Sequence, residues 1–219
     1  MYTIIGNLQN MEKGNIEISQ LKKVLDLSLS KLFYPMNDGH DIFHLRRTCE
    51  YALRITNSLK ETKDIKLIIV ASYLHDLHRI NPDFDWITNT SKIILEKANI
   101  SLSESQFINL QEILKLHDEK LPCTSSIELK IIQDADKLDR IGFNGIIRAI
   151  RFGACKGEDF YNSSNNSTIS HLNFLIDNSN QSYFFKFSKK LSKKLVRQTK
   201  HFIQKAKKYA SIRYSSYSN

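Results

Sequence analysis

Apolar residues recur every three or four positions along most of this chain, and strict alternation over several residues does not occur. That period belongs to amphipathic helices sharing a core rather than to half-buried strands. A first helix is predicted over 15–34, with Leu21, Val24, Leu25 and Leu32 facing inward, before "YPMNDGHD" (34–41) breaks it. A second runs over 42–60, where Leu45, Cys49, Ala52, Ile55 and Leu59 follow the same spacing. "KETKD" turns the chain, and Asp64 is positioned to cap a third helix over 65–79. "INPDFDWITN", which holds the only Trp, reads as a loop, followed by helices at 90–99 and 103–117, the latter opened by Ser103. After the break "DEKLPCTSS", a long helix over 126–151 is expected, interrupted near Gly142. "YNSSNNSTIS" (161–170) is rich in Asn and Ser, lacks periodicity and reads as a loop with the composition of a mobile lid. A last helix over 183–211 sets Phe187, Leu191, Leu195, Phe202, Ala206 and Tyr209 against a lysine-rich face. With seven Gly and three Pro to punctuate it, the chain is predicted to be all-α, one domain of helices joined by short loops.

Composition narrows the function classes. At 219 residues and 41% hydrophobic content, the chain can bury a substantial core. No stretch approaches the ~18 consecutive apolar residues of a membrane span. The start "MYTIIGNLQNMEKG" lacks the charged onset and long apolar centre of a secretion signal, so a cytoplasmic location is expected. Cys49, Cys123 and Cys155 are odd in number and widely spaced, which suggests neither a disulfide framework nor a zinc knuckle. The net charge of +9 is uneven: Lys186–Arg213 carries eleven Lys or Arg and no acid, and subtracting those leaves the rest at −2. Such a tail suits nucleic acid or another anionic partner. It equally suits a solvated lysine face on a helix whose aromatic residues cover the body.

Three polar clusters interrupt the amphipathic pattern. His75 and Asp76, in "YLHDLHRI" (73–80), close the apolar run "IKLIIVAS". A carboxylate in such a setting is costly unless a cation, a salt bridge or a helix cap compensates it. His40, Asp41 and His44 stand in "GHDIFHLRR", where the first two suit helix capping as well as a site. Asp134, Asp136 and Asp139 stand in "IIQDADKLDRIG". Asp136 follows Ile131 and Ile132 by four or five residues, which places it near the inward edge of its helix. Asp134 and Asp139 read as solvated residues paired locally with Lys130, Lys137 or Arg140.

The order H … HD … D on successive helices resembles the HD-domain superfamily of metal-dependent phosphohydrolases. "GHDIFHLRRTCEYAL", "IIVASYLHDL" and "ELKIIQDADKLDRIGFNGIIRAIRFGACKG" resemble a bacterial branch that includes nucleotide pyrophosphatases. The resemblance covers roughly residues 35–160. It implies a helical bundle of the HD-domain type with an added basic C-terminal helix. The divisions would be an N-terminal helix packing on the core (1–34), the metal-binding core (35–160), an Asn/Ser-rich loop (161–182), and a basic amphipathic helix and tail (183–219).

Carried over residue by residue, the resemblance makes His44, His75, Asp76 and Asp136 the metal ligands, with Asp76 also counted as catalytic. Two imidazoles and two carboxylates suit a divalent ion such as Mn, Co, Ni or Fe, with Mg compatible. The implied reaction is hydrolysis of a phosphate ester or anhydride, a small nucleotide above all, by a water held on the metal. Relatives often carry an acid two or three positions after the HD pair. Here those positions are His78 and Arg79, and nothing in the spacing shows whether Asp83 or Asp85 substitutes. Arg79 suits a phosphate or the surface. His40, Arg79 and Lys137 are the candidate substrate contacts. His117 is a candidate catalytic group, although a helix C-terminus also favours His for its dipole. With only His78 and His117 available as further imidazoles between the HD pair and Asp136, one ion is expected rather than two. His171 and His201 follow no pattern. Two other classes compete: a di-iron oxygenase of the same fold, and a non-catalytic module that binds nucleotides or nucleic acid through its tail.

Overall fold

The helices begin where small polar side chains can satisfy free backbone N–H groups. In the computed structural model, which describes residues 17–33, 39–61, 63–119, 125–161, 167–179 and 183–215, α1 covers 17–30. Next come α2 (Ile42–Asn57) and α3 (Ile65–Leu74), which runs directly into a 3-10 turn (His75–Arg79). Then follow α4 (Phe84–Lys97), α5 (Glu104–Leu116), α6 (Ile127–Asp139), α7 (Gly142–Lys156), α8 (Thr168–Ser179) and α9 (Lys186–Ser215). Asp41 accepts from His44 N at 3.0 Å, Asp64 from Leu67 N at 2.9 Å, and Asp83 from Trp86 N at 2.7 Å. Ser103 and Gln106 form a reciprocal capping box. Among the described residues the only β pairing is an isolated bridge, Asp159 with Ser167. No helix there is long and apolar enough to cross a membrane.

Two sequence expectations need correction. The segment "INPDFDWITN" is not a loop throughout. Asp83 caps α4, and Ile87, Ser91, Ile94 and Leu95 bury one face of it. The segment 161–182 is not one loop either. Ser167 accepts from Ser170 N at 3.2 Å and starts α8, which buries Ile169, Leu172 and Ile176 at helical spacing. Residues 162–166 and 180–182 of that segment lie outside the described residues. The break foreseen near Gly142 is real: Ile141 is extended, and Gly142 follows at φ +74°.

The core has two parts. The larger joins α1 to α6, with α3 at its centre, where every side chain from Leu67 through Leu74 is buried. At roughly 1.5–3 kcal/mol for each large apolar side chain, this helix is a main source of stability. The smaller cluster joins α7, α8 and α9 through Ile146, Ala149, Ile169, Leu172, Val196 and Ile203. Because α3 is wrapped on all sides, the chain leaving it cannot reach solvent at once, and His75 and Asp76 are drawn inside.

Asp64 does two tasks here, capping α3 and accepting from Gln106 Nε2 on α5. Asp64→Ala is expected to cost about 1–2 kcal/mol. For a chain of this size that lowers the melting temperature by about 2–8 °C, readable by circular dichroism.

Candidate metal centre

Four elements end or bend at one point. His44 comes from the first turn of α2, His75 and Asp76 from the 3-10 turn, Asp136 from the last turn of α6, and His117 caps α5. All five side chains are buried. Around His44 Nε2 lie Asp76 Oδ2 at 3.1 Å, His75 Nε2 at 3.2 Å and Asp136 Oδ1 at 3.4 Å. Atoms bound at about 2.1 Å to one ion stand roughly 3.0–3.4 Å apart in octahedral or tetrahedral arrangement, so the spacing fits a shared cation.

The tautomers sharpen this. His44 Nδ1 donates to Asp139 Oδ2 at 2.9 Å, and His75 Nδ1 donates to the Ser72 carbonyl at 2.9 Å. His78 Nδ1 and His117 Nδ1 donate to the carbonyls of His75 and Leu114 at 3.2 and 3.3 Å. With every Nδ1 committed, each Nε2 presents a lone pair, the form in which imidazole binds metal. Asp136 Oδ1 and His117 Nε2 are buried without a hydrogen bond among the described residues. Lone pairs crowded this way repel unless a proton or a metal ion lies between them.

The charge states follow the same arrangement. Burial pushes the His75 pKa down to about 4, which keeps the ring neutral near pH 7. Burial opposes ionisation of Asp136, but the Arg140 guanidinium and the two neighbouring imidazoles hold its carboxyl well below the usual range. Asp76 is likewise held low against burial, by its electrostatic interaction with the His75 ring and by hydrogen bonds from His40 and His44. The His44 pKa is raised: burial and the Arg148 charge pull it down, and its hydrogen bonds with Asp139 and Asp76 outweigh them. Two ionised carboxylates and a neutral imidazole are ready to take a divalent ion, which would displace the proton favoured on His44.

Other candidates fall out differently. His40 Nδ1 donates to Asp76 Oδ2 at 2.8 Å, so His40 belongs to the site, while Asp41 caps α2. Among the described residues, three groups have potential ligand atoms within 4.8 Å of one another: His40, His44 and Asp76; His44, His75 and Asp136; and Asp76, His78 and His117. They overlap at His44 and Asp76, more ligand atoms than the expected single ion needs. Lys137 donates to Gln133 Oε1 at 2.8 Å and lies 5.8 Å from the Phe184 ring.

Asp134 and Asp139 are not solvated; both are fully buried. Asp134 accepts from Phe184 N at 3.0 Å and Phe185 N at 3.1 Å, anchoring the approach to α9. Asp139 orients His44 and takes Arg47 Nε at 2.7 Å and Arg148 Nη1 at 3.0 Å. Its three-residue offset from Asp136, on the same helix face, was the available signal. Asp83 serves as a cap, and the acid near His78 and Arg79 is Asp118, 3.5 and 3.7 Å away. Asp118 also takes Arg140 Nη2 at 3.0 Å, and Arg140 donates to Asp136 as well.

Beside the cluster opens a cavity of about 190 Å³ lined by His40, Arg79, Arg140, Gly145, Arg148, Ala149, Phe152, His171 and Leu175. Lys137 does not line it. His171, which no pattern singled out, stacks on Phe152 with ring centroids 5.6 Å apart and planes 23° from parallel.

Residues 42–141 match the HD domain family. The chain is 30% identical over 134 residues to YpgQ of Bacillus subtilis (strain 168), an uncharacterized protein; the match spans 57% of this chain and 62% of that relative. An HD-superfamily hydrolase from Bacillus thuringiensis has the same fold, with a TM-score of 0.68 at 23% identity over 90% of this chain and 98% of that one. The crystal structure of B. subtilis YpgQ in complex with ADP gives a TM-score of 0.66 at 23% identity, over 87% and 93% of the two chains.

Proposed function

We propose that this chain, whose residues 42–141 match the HD domain family, is a divalent-metal-dependent phosphohydrolase acting on a small nucleotide. The observation that carries the reading is the convergence of His44, His75, Asp76 and Asp136, with Asp136 Oδ1 buried and lacking a hydrogen bond among the described residues, beside a cavity walled by three arginines. Neutral imidazole nitrogens with carboxylate oxygens suit Mn, Co, Ni or Fe, and Mg with a smaller share of nitrogen. Such an ion, when bound, polarises a phosphoryl oxygen and lowers the pKa of a water.

The protein's own groups supply the rest. Arg79, Arg140 and Arg148 present guanidinium donors to phosphate oxygens and offset the charge that develops at phosphorus. His40 holds Asp76 in place through its Nδ1–H. His117 Nε2, bare and close to Asp118, is placed to accept a proton. The cavity has room for a phosphate and sugar. The stacked pair Phe152–His171 continues outward to Phe174, which is 62% exposed, giving a base a flat surface to lie against. The ADP complex of YpgQ supports a nucleotide here.

The test is hydrolysis of nucleoside mono-, di- and triphosphates and a cyclic nucleotide by EDTA-stripped protein, with Mn, Co, Ni, Fe(II) or Mg added back. Turnover of at least one nucleotide is expected, dependent on added ion; no turnover with any pairing overturns the reading. Orthophosphate, pyrophosphate or monophosphate as product names the bond cleaved.

A second reading rests on Asp76, which belongs to two of the groups of potential ligands, one with His40 and His44 and one with His78 and His117, as a residue bridging two ions would. Two irons per chain after anaerobic purification would favour the oxygenase; one Mn or similar ion favours the hydrolase.

A further inference from the structure

A cavity of about 730 Å³ shares no lining residue with the metal centre or with the smaller cavity beside it. Its floor is α9, and its walls come from Arg54 on α2 and Phe143 on α7. Lys190, Lys194, Arg197 and His201 fall at offsets of four, three and four residues, one stripe of a single helix. At 1.5 Å per residue that stripe runs about 16 Å. None of its described lining residues is acidic, and Arg54 and the four α9 groups are all exposed. Like charges held this close repel, and a polyanion laid along them relieves that repulsion. Phe143 is 65% exposed at the edge, and half-buried Phe187 lies under Arg54, 5.6 Å from its guanidinium.

We infer that this groove binds single-stranded nucleic acid. The cationic stripe tracks a backbone over several phosphates, longer than one nucleotide needs. The exposed Phe143 ring offers a stacking surface that only an unpaired base can use. A membrane surface fits less well, because the apolar side of α9 is already spent: Val196, Ile203 and Ala206 are at most 8% exposed, packed against α7 and α8. RNA and DNA share the backbone and base chemistry that the groove addresses. This inference stands apart from the hydrolase reading, since none of its residues lines the metal centre.

Fluorescence anisotropy of the full chain with fluorescein-labelled, mixed-sequence dodecamers of single-stranded RNA and DNA, in EDTA, tests it. Saturable binding to at least one strand is expected. Lys190→Ala/Lys194→Ala/Arg197→Ala is expected to weaken it about tenfold or more and to lower the salt slope by about 2. Phe143→Ala is expected to weaken it about fivefold or more with the slope kept. Lys189→Ala/Lys193→Ala/Lys200→Ala, which removes the same charge from outside the groove, is expected to change affinity less than threefold. Equal binding of RNA and DNA and a preference for RNA both sustain the inference, the second adding 2′-hydroxyl recognition. Failure to bind either strand, or equal loss in the two triple variants, overturns it. So does sedimentation with phosphatidylserine vesicles that the groove triple variant abolishes while neither oligonucleotide binds.

Discussion

Asp136→Ala is expected to lower metal-dependent nucleotide hydrolysis on the order of 10³-fold, and Asp136→Asn nearly as far. The carboxylate supplies one of the negative oxygens facing His44 Nε2, and among the described residues its Oδ1 has no hydrogen bond that would give it a separate structural task. Its other oxygen holds Arg140, which is shared with Asp118. Alanine therefore leaves that guanidinium one partner short and lowers stability as well, whereas asparagine keeps the shape and removes the charge. Melting curves beside titration calorimetry with Mn separate the two effects. Loss of ion binding and turnover in a normally melting Asp136→Asn is the expected pattern, and full turnover in Asp136→Ala would remove the mechanism. Asp139→Asn gives the graded comparison: it disturbs the partner that orients His44 rather than a ligand, and about 10–100-fold weaker metal binding is expected.

The second large effect is structural. A Cβ built on Gly145 would stand 2.2 Å from the Arg140 carbonyl oxygen and 2.3 Å from its carbon, both backbone atoms that cannot turn aside. Gly145→Ala must push α7 away from the end of α6. The cost is expected to reach about 3 kcal/mol, the upper range for overpacking. A melting temperature lower by about 6–12 °C follows. Turnover should fall too, because Arg140 and Arg148 stand on either side of that contact. Gly157→Ala is the control: with φ +66° but nothing within 4 Å of its Cβ, it bears only left-handed strain, about 1 kcal/mol. Similar melting of the two variants would show that the close approach at Gly145 relaxes freely.

What the sequence disclosed, and what it withheld, divides along physical lines. The helical class, the caps at Asp64 and Ser103 and the inward placing of Asp136 rest on local spacing, and the structure agrees. The gathering of His44, His75 and Asp76 was legible only through resemblance, since no periodicity brings residues of separate helices together. Trp86 was assigned to a loop because Asn, Pro and Asp around it mark a turn, yet the same Asp83 starts a helix. Helix α8 was hidden by the Asn/Ser run preceding it. Asp139 was misread as solvated because Arg140, the neighbour available in sequence, is not its partner; Arg47 and Arg148 are. Arg148 and His171 carry no motif, and their place beside the centre depends on how α7 and α8 fold back.

The break at Ile141 and Gly142 also divides the labour of the molecule. The HD family match ends at residue 141, and the four candidate ligands all precede it. Arg148, Phe152 and His171, which shape the wall facing them, all follow it and rest on the smaller core. On the proposed function, the candidate ligands and the phosphate-facing Arg79 and Arg140 lie on one side of that joint and Arg148, Phe152 and His171 on the other, so the half of the wall that would meet a base can drift in sequence while the groups behind it stay fixed.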